Sequence, residues 1–347
     1  MGRFDHMFAA NACNFQRLAT TTAIRLVYLH ANNDDSQIEC SLQIALDCRT
    51  APPYHALSYC WGTETCTKCI RCDGQELLVT KDLYSALHRI RAKRAEQLFW
   101  IDAICINQHD VLERNAQVSN MRAIYDNAES VLVWLGQEDK HTAFIFRTMQ
   151  TISLARAAEF TKAANLNEWP QQLLEDGNFR AMWQQRTNYD HNNMLPAPDA
   201  EIWQHFAHLF QRPWFERVWI IQEISNTCKT VVLCGLQEII WPMIGIAANW
   251  LMRSEQGSHV RQVLQVSLRN TTPPSGITNA HFLAQPERTT LCDSPFLWML
   301  DESRQFKATE PKDRIFALVN HAVRRVQRGN SSRVCYQDEP VSTDCVT

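Results

Sequence analysis

Glycine is scarce in this chain. Its 347 residues include ten glycines, and none of them falls in a GxGxxG or GK[ST] pattern. Both loops need glycine so that main-chain N–H groups can approach phosphate closely, which excludes the usual Rossmann and P-loop nucleotide sites. GxSxG is missing as well, and with it the nucleophile elbow of the common hydrolases. No apolar run approaches the roughly 18 residues needed to cross a bilayer. The opening MGRFDHMFAANACNF has neither the apolar stretch nor the small-residue cleavage pattern of a secretory signal. His6 stands where N-myristoylation after Gly2 prefers Ser or Thr. An excess of charge of one sign is lacking too. The 34 Lys and Arg nearly balance 37 acids, for a net charge of −3, which gives no whole-surface attraction to nucleic acid or anionic membrane. These absences lead to the expectation of a cytoplasmic protein with no nucleic-acid partner and no membrane span, its 13 cysteines mostly reduced.

What is present is patterning. Leu98–Gly136 reads LFWIDAICINQ, then HDVLERNAQVSNMRAIYDNAES, then VLVWLG. The first and last parts are apolar runs of buried-strand type. The middle carries Leu112, Val118, Met121, Tyr125 and Ala128 at near-helical spacing. This is a βαβ unit with parallel strands, and ligands of such sheets sit beyond the strands' carboxyl ends. Ahead of it, Ile24–Leu29 and Ile38–Leu46 are strand candidates joined by an Asn/Asp-rich turn, and Tyr54–Gly62 is a further buried strand. Ile70–Cys72 and Glu76–Val79 flank Asp73-Gly74, a hairpin signal. Asp82 is read as the cap of a helix lined by Leu83, Leu87 and Ile90. Beyond Gly136 the expectation is helices at Phe144–Phe160, Glu201–Phe210 and Trp241–Met252, a short strand at Val231–Cys234, a loop over 253–290 and, within Ala308–Val319, a last helix starting near Pro311.

Several residue clusters could carry chemistry. Cys66, Cys69 and Cys72, with Cys60 upstream, have metal-like spacing, but no second ligand pair follows and residues three apart on a strand face opposite ways. Glu201, His205 and His208 share a helical face without a third strong ligand group, so no metal site is expected. The basic run His88–Arg94 is read as a solvated helix face. Cys105 lies in an apolar run and is read as an inert core thiol.

The polar group Asp102, Asn107, Gln108, Asp110, Glu113, Arg114 and Gln117 differs in kind. Asp102 is a carboxylate in an apolar strand candidate, and such a charge destabilises unless it is partnered. Two readings fit: a capping and ion-pair framework, or a ligand site.

YHALSYCWG, DGQELLVTKDLYSALHRIR and the whole of LFWIDAICINQHDVLERNAQVSNMRAIYDNAESVLVWLG closely resemble the heterokaryon incompatibility (HET) domain of filamentous fungi. RPWFERVWIIQEI, Cys234-Gly235 with Trp241, and ATEPKDRIFALV resemble the family's later blocks. The resemblance runs over about residues 24 to 320. It implies an intracellular protein of fungal non-self recognition and programmed cell death, acting through self-association or an incompatibility partner protein. The family has been likened remotely to the TIR fold, whose first strand SYCWG resembles, and some TIR domains cleave NAD with a glutamate.

The expected fold class is therefore α/β: a mainly parallel sheet flanked by helices around a TIR- or flavodoxin-like core, with an N-terminal β-hairpin region and a mostly helical C-terminal part. The expected layout is a loosely ordered 1–22, the HET domain at 23–225 (core 54–136, polar insertion about 165–199), a helical extension at 226–325 and a frayed tail at 326–347.

On this resemblance no cofactor is expected, and NAD enters as a substrate. Local polarity makes Glu113 the catalytic residue, whereas the order of elements makes it Glu138. Ser58, Trp61, Gly62, Asp102, Asn107, Gln108 and Arg114 would surround the ligand. The alternatives are a signalling module without chemistry, or a shortened, inactive relative.

Overall fold

The computed structural model describes residues 15–31, 37–62, 66–94, 96–162, 195–224, 229–267, 274–284 and 296–318. Nine strands form one sheet: β1 Ile24–Leu29, β2 Glu39–Ala45, β3 His55–Tyr59, β4 Lys68–Cys72, β5 Gln75–Val79, β6 Leu98–Trp100, β7 Ser130–Trp134, β8 Lys229–Cys234 and β9 Gln237–Ile240. Their spatial order is β5-β4-β2-β1-β6-β3-β7-β8-β9. The helices are α1 Lys81–Arg94, α2 Asp102–Cys105, α3 Val111–Asn127, α4 Thr142–Lys162, α5 Ile202–Leu209, α6 Ile220–Glu223, α7 Trp241–Arg253, α8 Glu255–Ser267, α9 Ser275–Leu283 and α10 Phe296–Glu302.

The fold is α/β, but its sheet is mixed rather than mainly parallel. Four strand pairings are parallel (β2·β4, β3·β6, β3·β7, β7·β8) and four are antiparallel. The cause lies in the connections. β4–β5 and β8–β9 are joined by two-residue turns, which only antiparallel strands can use, and β1 runs against both β2 and β6. The expected N-terminal hairpin is present as β1–β2. The turn asparagines and aspartates expected between those strands lie outside the described residues. In the β4–β5 turn Asp73 and Gly74 both take positive φ, 50° and 77°, as a type I′ turn requires.

The predicted βαβ unit is β6-α3-β7. Both strands run parallel, but they flank β3 instead of each other. All five residues of β3 and of β7 are buried, which is why these segments read as continuous apolar runs.

Several local expectations change. β6 stops at Trp100, so Asp102 is not in a strand; it opens the single turn α2. Leu112 is 80% exposed, and the inner face of α3 is Gln117, Met121, Ile124 and Tyr125. Thr80, not Asp82, caps α1, its Oγ1 accepting the Leu83 N–H. The basic run is not a solvated face either. Arg89 and Arg91 are buried, and the Arg89 guanidinium donates to the Gly235 and Leu236 carbonyls and to Glu238. Residues 253–290, expected as loop, hold α8 and α9. Their apolar contacts are spread over two short helices, so no single long periodicity shows.

Candidate functional site

The carboxyl ends of β3 and β6 meet a stretch that arrives from far along the chain. Arg212 leads into a 3-10 turn at Pro213–Glu216, after which Arg217 and α6 pass over the end of the sheet. Ser58 sits on β3, buried. It accepts a hydrogen bond from the Trp214 indole N–H (2.7 Å) and donates one to Glu223 Oε2 (2.5 Å). Glu223, with 2% of its side chain exposed, is gripped by Arg217, whose Nη2 lies 3.1 Å from Oε1 and Nη1 3.3 Å from Oε2. Nη1 also donates to the Tyr59 carbonyl at 2.7 Å. One guanidinium thus ties α6 to the end of β3.

Asp102 stands at the end of the neighbouring strand. Its Oδ2 accepts the Trp61 indole N–H at 2.9 Å, and its Oδ1 accepts the Ala103 N–H at 2.8 Å. Burial pushes the Asp102 carboxyl up to about 7. The negative charge of Glu223 adds to the rise, and Arg217 opposes it together with the two hydrogen bonds. Burial raises the Tyr59 and Tyr125 phenols, and both carboxylates reinforce the effect at Tyr125. Burial works against the charge on Arg217, but Glu223, backed by Cys60 and Asp102, more than offsets it and raises its affinity for the proton. The group is therefore one permanent cation between two carboxylates, of which Asp102 exchanges its proton near neutrality. A narrow cleft runs beside it, lined by Tyr59, Trp61, Cys66, Thr80 and Ala103 among others.

The remaining expected site residues form an adjoining turn. Gln108 is the joint: its side-chain amide donates to the Asp102 carbonyl (3.0 Å) and its own carbonyl accepts from Arg114 (3.4 Å). Asn107 Oδ1 accepts the His109 N–H. Asp110 caps α3, with Oδ1 accepting from the Leu112 and Glu113 N–H groups at 2.9 and 3.1 Å, as side-chain oxygens at helix starts do. Glu113 does not pair with its neighbour Arg114. Both its oxygens bind the buried Arg25 of β1, at 2.5 and 2.9 Å, and Oε1 also accepts the Asn107 N–H at 2.7 Å. Phe15 covers the Arg25 guanidinium at 5.0 Å, and the Gln16 carbonyl accepts from it. Glu138 lies in the loop after β7, where its Oε1 accepts the Leu236 N–H. Gly62 turns the chain after Trp61 with φ of 70°.

The structure thus brings Ser58, Trp61 and Asp102 to one cluster and places Asn107, Gln108, Glu113 and Arg114 in a second. Sequence reasoning gave no site role to Trp214, Arg217 and Glu223. The signal was available: of the four charges in RPWFERVWIIQEI, Arg217 and Glu223 flank VWIIQ, a segment dense in buried apolar residues, and need partners for the same reason that Asp102 does.

Among the described residues no group of three or more His, Cys, Asp or Glu side chains is placed to hold a metal. His205 stacks on His141 (3.5 Å, 15°), and His208 stands edge-on at 6.1 Å. Cys72 is buried in β4 while Cys69 is half-buried beside it. Burial holds the Cys105 thiol neutral, its proton affinity raised to about 12.

Residues 54–223 match the family described as heterokaryon incompatibility protein (HET). The chain carries a HET domain. The match opens at Tyr54, just before β3, and closes at Glu223 itself. Heterokaryon incompatibility protein 6, OR allele, of Neurospora crassa is 29% identical over 273 residues, covering 71% of this chain. The aligned part is 38% of that relative, so the chain spans well under half of the relative's length. No solved structure matches the chain. Arg25, and the residues beyond 300 that touch the Trp214–Glu223 stretch, lie outside the HET match.

Proposed function

We propose that this chain acts in fungal non-self recognition as a cytoplasmic effector whose HET domain drives programmed cell death, and that its chemistry is cleavage of NAD at the nicotinamide bond, centred on Glu223. The observation that carries this reading is the Glu223 carboxylate, held by Arg217 and 2.5 Å from Ser58 at the carboxyl end of β3, beside Asp102.

Two further features support it. The parallel strands β6-β3-β7-β8 stand in the sequence order second-first-third-fourth, the order of a flavodoxin-like core. The TIR resemblance calls for a glutamate in the helical segment after VLVWLG. Between β7 and β8, Glu138 is a loop residue, whereas Glu223 sits on the last helix before β8 and points back to the strand ends. Glu113 is committed to Arg25 and is here a positioning residue that fixes the Asn107–Arg114 turn.

In the proposed reaction the bond from the ribose carbon to the pyridinium nitrogen breaks, and its electron pair leaves with neutral nicotinamide. The Glu223 carboxylate stabilises the positive charge that develops on the ribose. Water adds to that carbon, and Asp102, with its proton affinity near neutrality, accepts the released proton.

The test is incubation of purified protein with NAD, comparing wild type with Glu223→Gln, Glu113→Gln and Glu138→Gln. Nicotinamide release abolished by Glu223→Gln and retained in Glu138→Gln supports the reading. Undiminished release from Glu223→Gln, or none from wild type at concentrations where it self-associates, overturns it.

A second reading is a module that signals by self-association or by binding an incompatibility partner protein, without chemistry. It is favoured by the 2% exposure of Glu223 and the 8% exposure of Glu113, which leave neither carboxylate open to a ligand in this conformation. Cell death with NAD intact would select it.

A further inference from the structure

Helix α6, which carries Glu223, is only four residues long. A single helical turn fixes several residues for very few hydrogen bonds and does not hold its own position. Its placement is set by what it leans on. One support is the end of β3, through Ser58 and Tyr59. A second is the stretch 307–318, whose residues 311–318 are helical and which the HET match does not include; α3 packs against α6 as well.

The contacts with this second support run the whole length of the Arg217–Glu223 segment. Lys307 N–H donates to the Glu216 carbonyl (2.5 Å), and the Val218 N–H donates to the Lys307 carbonyl (2.9 Å), a parallel bridge that brackets Arg217. Lys307 Nζ meets Glu216 Oε2 at 2.6 Å. Burial raises the Asp313 carboxyl, and against that the Trp219 side chain, which faces it, favours the ionised form. Gln222, next to Glu223 and 1% exposed, donates from Nε2 to the Phe316 carbonyl at 2.7 Å.

Gln222 is the informative residue. Its Oε1 is buried without a hydrogen-bond partner among the described residues. A buried, half-satisfied amide costs stability that an apolar side chain of the same length would not. What the amide adds is one directional tether, from the helix turn bearing Glu223 to residue 316. We propose that stretch 307–318 is a positioning clamp for Arg217 and Glu223, with Gln222 as its key tether, so that the working site extends beyond the HET match to residue 318. The consequence for activity rests on the Glu223 reading above; the clamp itself does not.

The test uses the full chain with Gln222→Met, which keeps side-chain length but removes the tether, and Trp219→Phe, which removes the link to Asp313. Hydrogen exchange is followed at the amides of Ile221, Gln222, Glu223 and Ile224, with the amides of β3, β7 and β8 as internal controls. A clamp predicts exchange at least about tenfold faster at 221–224 with the strands unchanged, and no drop in melting temperature for Gln222→Met. Nicotinamide release should fall by about tenfold or more, because small misplacements of a reacting group are costly. Selective loosening of 221–224 with undiminished nicotinamide release upholds the clamp and removes the Glu223 chemistry. Unchanged exchange at 221–224 overturns the clamp. Faster exchange throughout the sheet with a lower melting temperature overturns it as well, because Gln222 would then be ordinary framework.

Discussion

Asp102→Asn should stabilise this protein, and only above acidic pH. In the folded chain burial moves the Asp102 carboxyl from its ordinary 3.8 up to about 7. Between those values the native state binds a proton that the unfolded chain has released, so stability falls as pH rises through the window. At about 1.4 kcal/mol for each tenfold change in proton affinity, the full penalty above pH 7 is about 4 kcal/mol. Asparagine has no charge to desolvate, but it keeps one acceptor oxygen for two N–H groups that use different oxygens of Asp102, a loss of about 1–3 kcal/mol at every pH. The variant should therefore fall below wild type near pH 4, gain on it by about 4 kcal/mol as pH rises to 8, and end there more stable by about 1–3 kcal/mol. Urea unfolding at pH 4, 6 and 8, read by tryptophan fluorescence, measures the difference. A stability difference that does not change between pH 4 and pH 8 would refute the reasoning, as would an asparagine variant less stable at pH 8. A carboxylate kept where an amide would be more stable is the pattern of a site that trades stability for function.

Three further outcomes follow from the packing. Arg25→Met strands the buried Glu113 carboxylate and should cost about 3–5 kcal/mol; most of that returns in the Arg25→Met/Glu113→Leu double variant, measured by the same unfolding assay. Asp110→Ala removes the α3 cap and should cost about 0.5–2 kcal/mol, with faster exchange confined to the first turn of the helix. Gly276→Ala drives a methyl group into the Phe210 carbonyl and the Phe215 side chain. At a position where backbone must move, the cost should reach at least about 2 kcal/mol of unfolding free energy, measured by the same urea titration.

Much of the fold was legible in local pattern. Ile24–Leu29 is a strand over those same residues, the Asp73-Gly74 hairpin is where the dipeptide placed it, and β6-α3-β7 is parallel as periodicity required. The sheet's mixed character was not legible, because which strand lies beside which is decided by long-range packing. Nothing in LFW or VLVW says that β3 inserts between them. The site divides the same way. Trp61 and Asp102, 41 residues apart, both come from the sequence, Asp102 as a carboxylate in an apolar run and Trp61 through the family resemblance. Glu223 lies 165 residues from Ser58, and Arg25 lies 88 from Glu113. Pairings over such distances leave no spacing to read, only the rule that a charge in an apolar stretch must have a partner somewhere.

Glu223 is the centre of the account, and viability and NAD content measured together in fungal cells test it most directly. Cells expressing wild type should lose NAD and die, while cells expressing Glu223→Gln at the same level should keep both. Death of the Glu223→Gln cells, or death of wild-type cells with NAD undiminished, would contradict it.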